Sequence, residues 1–330
     1  MSLAKSIHLY EKIVSKSLSS TLAQKEWWVL AAIAGLVHTG AIFNMLLRTF
    51  LYIQPANELT AENLKQLSPF FSWILSYANN LALLNTTHVV AYAFIGILIF
   101  ALIASFALIA QFILLFIVSK GTREIHWKDI RKQLHHVHIL RLFSVNAVMR
   151  ILFTISIGLT TIILTFAVTD SLALDILQRI GIYAIVIPFT FFVQILGMIM
   201  LVQLVKKGTS LGKVFHRAIN ILRSHWLTAF EFALVIFIIN FLTSGALFII
   251  LMIIAIVAGI IFEITLSAGS YLLLSFVTFI TMLICGALVL VYAGSITTFN
   301  YSAWTNLCSH LEKNSHFPAL EHALLKLIKR

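Results

Sequence analysis

Six apolar runs divide the chain, at residues 27–53, 87–118, 146–169, 180–205, 229–262 and 271–300, with polar or amphipathic segments between them. Each is longer than the roughly 20 residues that cross a bilayer core as a helix, and a helix satisfies its backbone hydrogen bonds within the segment. The pattern predicts an all-α polytopic transmembrane helical bundle of six spans, read as one membrane domain over 1–330. Helical periodicity also marks shorter amphipathic stretches. Before span five, Val214, Phe215, Ala218, Ile219 and Leu222 recur three and four apart after Ser210, an N-cap residue type, while Lys213, Arg217 and Arg223 take other faces. Before span three, Trp127, Ile130, Leu134, Val137 and Leu140 do the same, and before span one Ile7, Tyr10, Ile13, Val14 and Leu18. Interfacial helices are therefore expected at 1–26, 122–141 and 210–226, with another at 318–330 after Pro318.

Composition agrees with lipid as the main solvent. The chain of 330 residues is 60% hydrophobic and 11% charged, with mean hydropathy +1.00, too little polar surface for a soluble domain. Residues 1–26 mix polar and apolar types and the first apolar run is too long for the core of a cleaved signal, so it is read as a retained span. Charge then sets the expected orientation. If the spans alternate, 20 of the 23 Lys and Arg fall on one side, which sums to +13 against −2 on the other within a net charge of +11. The positive-inside rule places that side, and both termini, in the cytoplasm of a bacterial inner membrane or equivalent plasma membrane. Positive charge confined to juxtamembrane segments points to anionic headgroups, not to nucleic acid. Candidate headgroup contacts are Lys128, Arg131, Lys132, Arg141, Lys206, Lys207, Lys213, Arg217 and Arg223. Only two cysteines occur, Cys285 and Cys308, and neither falls on the expected oxidising side, so no structural disulfide is expected.

Two patches carry a likeness to known proteins. Ser210-Leu211-Gly212-Lys213-Val214-Phe215-His216-Arg217-Ala218 with Ile221-Leu222-Arg223-Ser224-His225-Trp226-Leu227, and Thr297-Thr298-Phe299-Asn300-Tyr301-Ser302-Ala303-Trp304-Thr305 near the end, resemble bacterial six-span inner-membrane proteins. These are related to the membrane domain fused to some glycerophosphodiester phosphodiesterases. The resemblance implies a six-span layout with a basic helix introducing a hairpin. It carries over no catalytic residue, because the phosphodiesterase chemistry of fused members resides in a separate soluble domain.

Candidate chemistry comes from polar residues inside the runs, where each is costly. Counted from the basic side, His38, Gln194 and Asn240 each lie about 11 residues deep, or roughly 16 Å at 1.5 Å per residue, which places all three near the midplane. Asn44 and Arg48 continue a polar stripe from Gly40 along span one. Pro188 removes a backbone donor in span four. These groups suit either a polar path or interhelical fastening. Glu231 and Arg150, at the basic-side ends of spans five and three, are placed to neutralise one another. His135, His136 and His138 cluster, but no Cys, Asp or Glu completes a conventional ligand set, and no metal or cofactor is assigned. The leading expectation is a non-enzymatic membrane protein in transport or membrane and lipid homeostasis. The alternatives are a structural or assembly subunit, with a membrane-protein partner or a second copy, and a membrane-embedded enzyme acting on lipid headgroups.

Overall fold

The computed structural model describes residues 3–38, 86–121, 130, 139–166 and 172–312, and these are almost entirely helical, with no strand among them. Helix α1 spans Leu3–Ala23, a short 3-10 turn Lys25–Trp27 follows, and α2 spans Trp28–His38. Then come α3 (Thr86–Lys120), α4 (Ile139–Phe166), α5 (Leu172–Lys207), α6 (Leu211–Ser267) and α7 (Tyr271–Leu311). Four segments, Phe94–Lys120, Ile180–Lys207, Leu211–Ser267 and Tyr271–Leu311, are long and apolar enough to cross a membrane. The chain is a helical, membrane-embedded protein. The expected runs at 87–118, 180–205, 229–262 and 271–300 each fall inside one helix, and α2 covers the start of 27–53. Most of the expected helix at 122–141, all of 318–330, and Asn44, Arg48, Lys128, Arg131, Lys132, His135, His136 and His138 lie outside the described residues.

Glycine ends the helices where a left-handed residue is needed. Gly208 (φ 57°) closes α5 with its N–H on the Leu204 carbonyl at 2.9 Å, and Gly269 (φ 66°) makes the tight turn between α6 and α7. Ser210 occupies the N-cap of α6 and its carbonyl accepts from Val214 N–H at 3.0 Å, although its hydroxyl makes no capping bond. The expected break between the 210–226 helix and span five is present as a kink. His225 has φ −135° and ψ 30° within an otherwise continuous 57-residue helix. Helix α5 runs unbroken through Pro188, as transmembrane helices can when neighbouring groups adjust.

Contacts divide the chain into two units. The first contains 1–37, 107–146 and 194–330, and α7 packs along both α6 and α1 within it. Its core is formed where the basic ends of the helices meet: Phe112, Leu114 and Ile117 of α3, Leu142 of α4, Met198 and Leu204 of α5, Phe232 of α6, and Tyr301 and Leu307 of α7. The second unit contains 38–106 and 147–193, and its described side chains are mostly exposed and apolar, Ile97 and Ile185 among them.

Helix α1 is not the simple apolar-faced helix expected. Its buried face is Ile13, Ser17 and Thr21, continued by Gln24, whereas Leu18 and Leu22 are half exposed and point away. Small hydroxyl residues let the backbones of α1 and α7 approach closely, and close approach is what substitutes for a hydrophobic drive between membrane helices. The closest approach is at Gly294. A Cβ built there would stand 2.1 Å from the Trp28 carbonyl oxygen and 2.7 Å from its carbon. Gly294→Ala is expected to destabilise the protein by about 1–3 kcal/mol through backbone overpacking. Gly286→Ala meets nothing within 4 Å and is expected to be neutral or slightly stabilising, which a thermal melt of both variants in the same detergent checks.

Candidate functional site: a buried polar hub

Polar side chains are gathered at the basic ends of the helices in the first unit, between otherwise apolar surfaces. Helix α1 presents Tyr10, whose hydroxyl donates to Glu231 Oε2 at 2.5 Å. Glu231 is only 9% exposed, so a donor to its carboxylate offsets part of the cost of burial. The Tyr10 ring lies 6.0 Å from Phe232, which meets Trp304 edge-on at 5.7 Å. Burial first, and then the bond and charge of Glu231, hold the Tyr10 hydroxyl well above its ordinary pKa, so it remains a donor at all physiological pH.

A second cluster joins three helices. Gln111 of α3 donates through Nε2 to the Tyr301 hydroxyl of α7 at 2.9 Å, and Asn146 of α4 donates through Nδ2 to Gln111 Oε1 at 2.9 Å. Gln111 and Tyr301 are fully buried. On α1, Ser17 Oγ accepts from Asn306 Nδ2 of α7 at 3.0 Å.

The third cluster sits at the helix ends. Glu312 accepts from Gln203 Nε2 at 2.8 Å and pairs with Lys207 Nζ at 2.9 Å, while Lys206 Nζ donates to Ser309 Oγ at 2.5 Å. Arg141 Nη1 donates to the carbonyls of Gly208 at 3.1 Å and Thr209 at 3.5 Å, tying the start of α4 to the turn after α5. Burial pushes the Glu312 carboxyl up, but the bonds from Lys207 and Gln203 and the charges of Lys207 and Lys206 outweigh it and hold it below its ordinary value.

The sequence-derived candidates distribute unevenly over this geometry. Arg141, Lys206 and Lys207 are held in the contacts just described. Lys213 and Arg223 are exposed and Arg217 is half-buried on the α6 limb before the kink, where Val214, Ala218 and Leu222 face inward but Phe215, Ile219 and Trp226 face out. Gln194 is exposed, and Asn240 is half-buried with an enclosed Oδ1 that has no donor within hydrogen-bond distance among the described residues. His38 closes α2, and its side chain lies outside the description. Glu231 accepts from Tyr10, and Arg150 lies exposed on α4.

Tyr10, Gln111, Asn146, Tyr301 and Glu312 were not singled out by sequence reasoning. Gln111 was detectable in principle, as the sole glutamine of the second apolar run. The bonded groups are donors matched to acceptors, an arrangement that fixes helices against each other. Among the described residues no group of three or more His, Cys, Asp and Glu is placed to hold a metal ion. Cys285 and Cys308 are both free thiols. No family profile, curated protein or solved structure matches the chain.

Two outcomes follow for the hub. Tyr10→Phe keeps the ring against Phe232 but removes one donor from Glu231. It should cost about 1.5–3 kcal/mol, the range for a bond to a charged group, and should speed proteolysis within α1, with limited trypsin digestion as the measurement. For Glu312, a folded-state value below the unfolded one means that its contribution is fully present above the ordinary carboxylate range. It is lost as pH falls through that range toward the folded value. A melting profile from pH 7 to pH 3 should therefore decline less steeply in Glu312→Gln than in the wild type.

Proposed function

We propose that the chain is a six-span protein of a bacterial inner or equivalent plasma membrane, with its basic side and both termini in the cytoplasm, acting as a non-enzymatic scaffold. Its work would lie in membrane or lipid homeostasis, by holding a lipid or a partner membrane protein. The observation that carries this reading is the hub itself. Tyr10–Glu231, Asn146–Gln111–Tyr301 and Gln203–Glu312–Lys207 direct polar groups at one another across six helices, and hydrogen-bonded networks of this kind rigidify and specify a packing. Catalysis asks for the opposite, polar groups held ready for a substrate. The outward Gln194 also gives little support to an enclosed path through Gln194 and Asn240. The likeness of 210–227 and 297–305 to the six-span inner-membrane proteins agrees with the layout and adds no chemistry.

Extraction of the full chain in a mild detergent is the test. The scaffold reading expects a partner membrane protein or tightly held phospholipid to co-purify with the chain in fixed ratio. A lipid-free monomer, or turnover of a lipid headgroup by the purified chain, overturns it. Replacement of the exposed Gln194 by leucine is expected to leave that co-purification within about twofold of wild type, since an exposed position costs little on substitution. A loss of solute flux without loss of fold would restore the transport reading.

A further inference from the structure

We infer that the membrane's hydrocarbon core is crossed by the far halves of α6 and α7, residues 245–262 and 271–291, and that the polar hub stands outside it on the basic side. The two helices are paired levels of one hairpin. Phe232 meets Trp304 at 5.7 Å, and farther out the Ser244 and Tyr292 hydroxyls are hydrogen-bonded at 2.5 Å. Beyond that pair neither helix carries a Lys, Arg or Asp, and the first acidic residue is Glu263, exposed near the tip with Ser267, Ser270 and Tyr271. The intervening stretches rise about 27 and 31 Å at 1.5 Å per residue, which matches a core of about 30 Å. Apart from Ser275, Thr278 and Thr281, whose hydroxyls bond carbonyls of their own helix, they are apolar, and Ile253, Ile256, Leu272, Phe276 and Met282 are each about half exposed or more. A helix with so apolar a surface left open among the described residues needs lipid as its surroundings.

The lower limit of the core is fixed independently by α1. The Trp28 carbonyl lies against Gly294, two residues below Tyr292, and Lys25 and Glu26 are exposed immediately before it. From there α1 runs back along α7 until Ser17 meets Asn306. That contact flanks about 18 Å of α7. The outer face of α1 carries Glu11, Lys12 and Lys16, all exposed. A hydrocarbon layer at this level would have to hold those charges at about 2.5–3.5 kcal/mol each on insertion scales. In addition, the buried oxygens of Gln24, Gln203, Thr228 and Thr305 have no donor within hydrogen-bond distance among the described residues. Such groups are tolerable where water can reach and expensive in hydrocarbon. Ile238 and Phe241, exposed just below Ser244, fall in the interfacial layer, where such side chains anchor.

Three positions change meaning. Asn240 sits at the membrane boundary and not at the midplane. Trp226 lies about 27 Å from Ser244 along α6, so the limb carrying Lys213 and Arg223 stands away from the headgroups instead of lying on them. The 34-residue run 229–262 is one helix that begins in the hub and enters lipid only in its second half.

Cysteine accessibility in native membrane vesicles opened on both faces decides the matter. On a Cys285→Ser, Cys308→Ser background, single cysteines at Lys12, Trp226, Ile253 and Met282 replace exposed side chains. A membrane-impermeant maleimide should label Lys12→Cys and Trp226→Cys at least tenfold faster than Ile253→Cys and Met282→Cys, with all four labelled equally after denaturation. In the wild-type chain, Cys285 should stay unlabelled before denaturation, which checks the register without any substitution. Protection of Trp226→Cys, or labelling of Ile253→Cys, Met282→Cys or the wild-type Cys285, overturns the placement. None of these results bears on what co-purifies, so the scaffold reading stands or falls separately.

Discussion

The contact between the Trp28 carbonyl and the α7 backbone at Gly294 is the constraint on which the rest of the first unit turns. Membrane helices gain nothing by hiding apolar surface from one another, since lipid is equally apolar. Where they meet is decided by backbone approach and by polar pairs. The absence of a side chain at position 294 lets the chain cross α7 where the charged α1 gives way to the apolar α2. From that point Ser17 reaches Asn306, and Tyr10 reaches Glu231 from the same face of α1. One close approach therefore sets the register of α1 against α7 and, through Tyr10, against α6.

Hub and hairpin are two solutions to one problem of burial. In the hub, the last part of α3 is buried on every side from Phe112 to Val118, because other helices surround it. In the hairpin, Ile249, Ile253 and Leu272 are equally apolar and open. Side-chain composition is alike in both settings, and only the neighbours differ. The polar network belongs to the hub because it alone has enough helices within reach to satisfy a Gln111 or a Glu231.

This explains how far the sequence could be read. Long apolar runs announced α3, α5, α6 and α7, but they did not show that 210–226 and the run 229–262 belong to one helix kinked at His225. The buried face of α1 was not legible, because the apolar spacing marked Ile13 but gave no sign that Ser17 and Thr21 would be buried against α7 while Leu18 stayed half exposed. Nor was the bond that Tyr10 donates to Glu231, because contact with a tyrosine 221 positions away is a product of tertiary register. Depth was the least legible quantity of all. Placing His38, Gln194 and Asn240 at a common level assumed that each apolar run begins where the bilayer begins.

That assumption fails in principle when a run is longer than the bilayer is thick. Hydropathy measures aversion to water and is the same whether the alternative is lipid or protein, so a run of 34 residues such as 229–262 contains no internal mark of where one setting ends. The mark has to come from a neighbour with a different composition lying alongside. Here that neighbour is α1, whose exposed Glu11, Lys12 and Lys16 tolerate water or headgroups but not hydrocarbon. Because α1 is bonded to α7 through Ser17 and Asn306 and to α6 through Tyr10 and Glu231, its charges assign a setting to stretches of both helices that their own sequences leave open. Polar contacts that are modest in energy thus set which apolar stretches lie beside a charged helix and which lie open.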